Sequence, residues 1–241
     1  MPNTLGRRVA FFGGSFDPPH AGHLAIARAA RESLKLDTVL FAPVGVQPLK
    51  PSGSTANFAD RTAMTSLAIA EEPGFVLSLA DAPAADGKPN YTIDTLRRLH
   101  AQLTAGAVLF CLMGADSFRS LHRWHRAAEI PFEAPLIVAS RPGQPLDDLA
   151  AMMPEGVKLE QGEPAIAAAA DTGDKHVLET YTLTNAAGER APFYVLPGVL
   201  VDVSASQIRE QLHGRRPQVN PLVDPAVASY IDRTRLYTTR T

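Results

Sequence analysis

At 241 residues, with 45% hydrophobic and 20% charged residues, the chain has an ordinary folding composition and is long enough to bury a substantial core. A formal net charge of −2 gives no electrostatic case for gripping a nucleic-acid backbone or an anionic membrane, so any anion site must be built locally. A single cysteine rules out an intrachain disulfide, residues 1–8 hold no apolar signal core, and no apolar run is long enough to span a bilayer; a cytoplasmic protein is expected.

The first predicted element is a buried strand, Val9-Ala10-Phe11-Phe12, followed at once by Gly13-Gly14-Ser15-Phe16-Asp17-Pro18-Pro19-His20-Ala21-Gly22-His23. Two glycines directly after a strand let the backbone turn tightly or touch a ligand. Pro18 and Pro19 suit the entry to a helix, where a missing N–H costs nothing, and Leu24, Ala27, Ala30, Arg31 and Leu34 carry that helix on. His20 and His23, three apart, fall on one face of its first turn. Unpaired N–H groups and partial positive charge at that end favour a phosphate, to which both imidazoles can donate. Metal ligation by these histidines is not expected. Asp17 is near, but no third ligand of zinc-site spacing follows, and Cys111 lies far along in an apolar run.

Thr38–Pro43 reads as a second buried strand and completes a βαβ unit of a parallel sheet. The loop Val44–Ser54 carries Pro48, Pro51 and Gly53, and its Lys50 reads on its own as a solvated charge. Asn57 or Asp60 caps a helix through Met64, Leu67, Ala68 and Glu71, stopped by Pro73-Gly74. Phe75–Ser78 is a third strand, and Tyr91-Thr92-Ile93-Asp94-Thr95-Leu96 opens a helix with Thr92 as its cap. Ala107–Met113 is a central strand ending at Gly114-Ala115-Asp116-Ser117. Ligands of open α/β sheets bind beyond the carboxyl ends of the strands, so Asp116 either accepts from a ribose hydroxyl or caps the next helix.

Trp124, the one tryptophan, reads by itself as a core or groove residue. Pro135–Ala139 is a fifth strand with a turn at Ser140–Gly143, and Asn185-Ala186-Ala187-Gly188 marks a hairpin. Phe193–Leu196 and Val199–Val203 are the last strands. Ser204-Ala205-Ser206-Gln207-Ile208-Arg209, running on to Leu212 and Gly214, is a short capped helix at a strand end. It is either a second anion site or a surface helix with a solvated Arg209. Asp224-Pro225 caps a final helix to Ile231. The sum is an α/β fold, a Rossmann-like doubly wound parallel sheet with helices on both faces. It is expected as one domain over 1–241, with an insertion at 161–192 and a C-terminal helical segment at 204–241.

The string of strand, double glycine, Ser-Phe-Asp-Pro and His-x-Gly-His resembles the signature of the HxGH nucleotidyltransferases. The Gly-Gly-Ser-Phe-Asp-Pro prefix is most similar to the nicotinate or nicotinamide mononucleotide adenylyltransferases, and the resemblance runs from Val9 to Tyr237 apart from 161–192. It implies adenylyl transfer from ATP to nicotinate mononucleotide, giving deamido-NAD and pyrophosphate in NAD biosynthesis, with Mg2+ bound through the ATP phosphates. By the same resemblance His20, His23, Lys50 and Arg209 are the catalytic set. Gly13, Gly14, Ser15, Phe16, Asp116, Ser204 and Ser206 join His20, His23 and Arg209 around ATP. Ser15, Phe16, Lys50, Thr92 and Trp124 hold the nicotinate nucleotide, with Thr92 near the carboxylate and Trp124 stacked on the pyridine. Leu49 stands where the family has histidine, and Ala205 where it has serine.

The implied partners are ATP and nicotinate mononucleotide, with no nucleic acid polymer and no membrane; a homo-oligomer is left open. Competing readings are a nicotinamide mononucleotide or phosphopantetheine adenylyltransferase and, from another class, a nucleotide-binding regulator. A class I aminoacyl-tRNA synthetase shares an HxGH-like element, but the chain has neither a KMSKS-like loop nor an obvious tRNA-binding appendage.

Overall fold

The strands predicted from buried apolar runs form the centre of one mixed sheet in the computed structural model, which describes residues 5–50, 52–140, 148–163, 165–168, 175–196, 203–212 and 222–238. The elements in chain order are β1 (Arg8–Gly14), α1 (Ala21–Leu34), β2 (Thr38–Pro43), α2 (Phe58–Ala68), β3 (Phe75–Leu77), α3 (Thr92–His100), β4 (Val108–Gly114), α4 (Ala115–Arg119), α5 (Ile130–Glu133) and β5 (Leu136–Ala139). They continue with β6 (Lys158–Gln161), β7 (Ala165–Ala168), β8 (Lys175–Thr184), β9 (Arg190–Leu196), α6 (Ala205–Leu212) and α7 (Pro225–Thr234).

The strand order is β3-β2-β1-β4-β5-β9-β8-β6, with β7 paired on β8. From β3 to β9 every pairing is parallel, and Phe11 of β1 lies between Leu40 of β2 and Cys111 of β4. The order reverses between β1 and β4, which is where such sheets open a ligand crevice. Alternation of side chains explains why β1, β2 and β4 are apolar throughout. Val9, Phe11, Leu40 and Cys111 pack on one face with Ile93, Leu96 and Leu99 of α3, whereas Ala10, Phe12, Val39 and Phe41 pack on the other with Ile26, Ala27 and Ala30 of α1.

The far side of the sheet departs from a purely parallel reading. β8 runs antiparallel to both β9 and β6, and the turn between β8 and β9 closes with Gly188 N donating to Asn185 O at 3.0 Å. Residues 161–192 thus contain β7, β8 and the start of β9. The predicted turn at 141–143 and strand residues 199–202 lie outside the described residues, and Val203 is not in a strand. A third apolar cluster joins Met64 and Ala68 of α2, Ile208 and Leu212 of α6, and Val227 and Ile231 of α7, with Tyr237. Among the described residues no helix is long and apolar enough to cross a membrane.

Candidate active site

All thirteen residues singled out from the sequence border one cleft of ≈ 1030 Å³, at the carboxyl ends of β1 and β4. The first wall is the turn after β1. A Cβ on Gly13 would meet the Phe11 ring at 2.8 Å and one on Gly14 the Phe16 ring at 3.1 Å, so the aromatic packing under the turn needs both glycines. Phe16 takes a left-handed φ of 47° and is 1% exposed, its ring edge-on to His23 at 5.0 Å.

The prolines and histidines sit slightly differently from the expectation. Pro18 and Pro19 precede the helix rather than entering it, and His20 is the N-cap of α1, its extended backbone (φ −149°, ψ 169°) ending the loop. His23 occupies the third helical position and returns a capping bond, its Nδ1 accepting from the His20 N–H at 3.2 Å. A neutral His23 that accepts through Nδ1 carries its proton on Nε2, so it is preset as a hydrogen-bond donor. The two rings lie 3.8 Å apart at 31°, and His20 is buried.

Gly22 makes that close pairing possible. A Cβ there would come within 3.1 Å of His20 Cε1, His20 Nδ1 and Val203 Cγ1. Gly22→Ala adds helix propensity but shifts the His20 ring, so kcat is expected to fall roughly ten- to a hundredfold with little change in the unfolding midpoint. Steady-state rates beside a thermal melt check this.

The loop after β2 supplies Lys50, whose Nζ donates to Ser15 Oγ at 3.1 Å; Ser15 Oγ donates on to Gln47 Oε1 at 3.3 Å. Partial desolvation in the cleft, helped by the Arg209 charge, holds Lys50 below the ordinary lysine value of 10.5, against the opposing pull of Asp17. A lowered pKa means the cation is lost earlier as pH rises. The alkaline limb of kcat/KM for ATP is therefore expected below pH 10.5 and should move up in Lys50→Arg, as a pH–rate profile will show.

On the opposite wall, Tyr91 rather than Thr92 is the N-cap of α3, with extended backbone and no side-chain cap bond. Thr92 is the first helical residue and is not the cap. It still borders the cleft, as do Asn90, Tyr91 and Asp81. Asn90 staples this wall to the β2 loop, accepting from Val46 N at 2.9 Å and donating to Ala82 O at 2.8 Å. Asp81 is buried and accepts from Thr95 Oγ1 at 2.7 Å; burial raises its pKa.

Asp116 does not cap α4, because Gly114 holds that position and Asp116 is the second helical residue, 3.4 Å from Arg119 Nη1. Trp124 follows a 3-10 turn at Leu121–Arg123, and its Nε1 donates to Ser120 Oγ at 3.2 Å, which sets the indole plane. The rings of Tyr91 and His125, which border the same cleft, lie 4.3 Å apart at 35°.

The final wall is the start of α6. Ser204 caps the helix through a reciprocal pair: its Oγ accepts from Gln207 N at 3.2 Å, and Gln207 Oε1 accepts from Ser204 N at 2.8 Å. Arg209 is not a solvated surface charge. Its Nη1 donates to Asp17 O at 2.6 Å and its Nη2 to Ser206 Oγ at 3.0 Å, tying the second motif to the first.

Sequence reasoning missed the groups that hold these walls together. The Asp17 carboxylate is buried and accepts from Thr55 N at 2.6 Å, Ala56 N at 3.1 Å and Tyr237 OH at 2.7 Å. Arg61 of α2, 2% exposed, donates to Ser15 O and Val44 O at 2.7 Å each and to Ala56 O at 3.2 Å. Burial lowers the Arg61 pKa, against the pull of Asp17. Asp17 was legible as part of the motif. Arg61, a charge on a helix of ordinary amphipathic pattern, gave no signal.

Two helix N-termini, carrying imidazole, guanidinium and hydroxyl donors, thus meet at the strand-order reversal of a parallel sheet, the framework of a nucleotidyl-transferring enzyme. The chain matches the cytidylyltransferase-like family over residues 11–211. It is 38% identical over 233 residues to the probable nicotinate-nucleotide adenylyltransferase of Gloeobacter violaceus, covering 97% of each chain. It is 36% identical to the corresponding Chromobacterium violaceum protein, over 97% of this chain and 100% of that one. In fold it is similar to the Plasmodium falciparum nicotinic acid mononucleotide adenylyltransferase complexed with NaAD, with a TM-score of 0.64 at 15% identity over 96% and 98% of the two chains. The chain belongs to the cytidylyltransferase-like family and, within it, to the nicotinate-nucleotide adenylyltransferases.

Proposed function

We propose that the protein transfers the adenylyl group of ATP to nicotinate mononucleotide, forming deamido-NAD and pyrophosphate in the cytoplasm. The observation that carries this reading is the convergence of His20 and His23 at one helix end with Arg209 and Ser206 at another, around one cleft. A mononucleotide phosphate oxygen attacks the α-phosphorus of ATP; the new P–O bond forms as the bond from the α-phosphorus to the bridging oxygen of the β-phosphate breaks. The electron pair of that bond leaves with pyrophosphate. The nucleophile is already anionic, so no side-chain base is needed, and the protein's task is alignment and charge stabilisation.

In this scheme His23 Nε2–H and the α1 N-terminus hold the α-phosphate region. Arg209, the α6 end and Lys50 hold the leaving pyrophosphate. The turn after β1 and Asp116 face the adenosine, while Thr92 and Trp124 hold the pyridine ring. Mg2+ carried by ATP would supply charge neutralisation beside Lys50 and Arg209. The Asp17 carboxylate accepts from backbone and hydroxyl donors, and in this scheme the ion is bound chiefly through the ATP phosphates and water.

Pyrophosphate release measured with ATP, Mg2+ and equal concentrations of nicotinate or nicotinamide mononucleotide tests the proposal. The acid is expected to be preferred on the order of a hundredfold, since a site that donates to a carboxylate leaves donors unpaired against an amide nitrogen. Equal use would make the enzyme dual-specific, turnover of phosphopantetheine alone would replace the pyridine substrate, and no release with any acceptor would favour a nucleotide-binding regulator.

A further inference from the structure

Tyr237 lies outside both signature motifs, yet its hydroxyl reaches Asp17, a residue that borders the cleft. Its side chain is 5% exposed within the cluster formed by α2, α6 and α7, and its hydroxyl donates to Asp17 Oδ1 at 2.7 Å. The main-chain carbonyl of the same Asp17 receives Arg209 Nη1 at 2.6 Å, and its carboxylate receives the N–H groups of Thr55 and Ala56, which follow the Lys50 loop. Asp17 is thus a single junction on which the first motif, the Lys50 loop, Arg209 and the C-terminal segment all bear.

We infer that Tyr237 is a positioning residue for adenylyl transfer: its hydroxyl fixes Asp17, and through the Asp17 carbonyl it fixes the Arg209 guanidinium at the phosphate end of the cleft. The inference rests on the function proposed above. It needs the hydroxyl, not merely the ring. An Asp17 carboxylate that loses its Tyr237 donor keeps the Thr55 and Ala56 N–H groups but gives up its tie to the C-terminal segment, so residue 17 as a whole, with the carbonyl that receives Arg209, is held less firmly. Burial, and after it the Asp17 charge, push the Tyr237 pKa up, which favours the O–H donor form. A second tyrosine on the same arm, Tyr230, packs on the same cluster but donates its hydroxyl to Asp60 Oδ1 at 2.8 Å instead of to Asp17, which makes it a control.

The test is a double-mutant comparison with two readouts, pyrophosphate release and calorimetric binding of α,β-methylene-ATP. Tyr237→Phe keeps the packing and removes the hydroxyl. It is expected to lower kcat/KM for ATP about tenfold and weaken analogue binding several-fold, leaving KM for the mononucleotide within about twofold. Tyr230→Phe is expected to change neither readout. In an Arg209→Ala background, Tyr237→Phe should cost nothing further, because the residue it acts through is gone.

Wild-type values in Tyr237→Phe, an equal further loss in the Arg209→Ala background, or the same loss in Tyr230→Phe would each overturn the inference. If the wild-type protein releases no pyrophosphate, the adenylyl-transfer reading fails by itself. The calorimetric comparison then decides whether Tyr237 positions Arg209 on the nucleotide.

Discussion

Replacing His23 by alanine is expected to lower kcat by about 10²- to 10³-fold, the usual cost of removing one preorganised donor from a site where charge develops. The reason is the locked tautomer. Nδ1 is occupied by the His20 N–H at 3.2 Å, so the ring stands ready with Nε2–H before ATP arrives. The same substitution removes one reciprocal capping bond from α1, worth about 1 kcal/mol, or about 2–4 °C in the unfolding midpoint for a chain of this size. Activity and stability should therefore separate widely. A rate within a few-fold of wild type, measured by pyrophosphate release on folded protein, would remove His23 from the mechanism.

Arg61→Leu is expected to have the largest effect on stability, about 3–5 kcal/mol, read as a lower midpoint in urea. Leucine fills part of the space but leaves three carbonyls, of Ser15, Val44 and Ala56, without the donors they have now. It also leaves the buried Asp17 carboxylate without the guanidinium whose charge it faces. Arg61→Lys should recover only part of the loss. A compact ammonium cannot span three acceptors that a planar fork reaches together. An Arg61→Leu protein with an unchanged midpoint would show that α2 needs no such anchor.

The apolar and punctuated parts of the chain were legible in advance. β2 was placed at Thr38–Pro43, and Asp224 does cap α7, its carboxylate accepting from Ala226 N at 2.8 Å. Asn57, one of two candidate caps, is the one used; its Oδ1 accepts from Asp60 N at 2.9 Å. Thr92 was misread because cap preference is a statement about side chains, while the position is decided by backbone. Tyr91 adopts the extended dihedrals, and its ring lies 4.3 Å from that of His125. The cleft-lining residues were legible because they belong to motifs with strand and helix-end context. Arg61 and Tyr237 were not, since each works through a partner distant in the chain, and local patterns carry no information about such pairs.

The bonds that close the site span almost the whole polypeptide, 192 residues from Asp17 to Arg209 and 220 from Asp17 to Tyr237. Loop closure on that scale is expected to follow the formation of the local β–α units, because its entropic cost must be met before the contact rewards it. A nascent chain that has emerged through β5 already carries the glycine turn, both histidines and Lys50, yet it lacks the arginine and the tyrosine that clamp them. The residues placed at the phosphates are thus set in register by contacts that need nearly the whole fold, not by the first βαβ units alone.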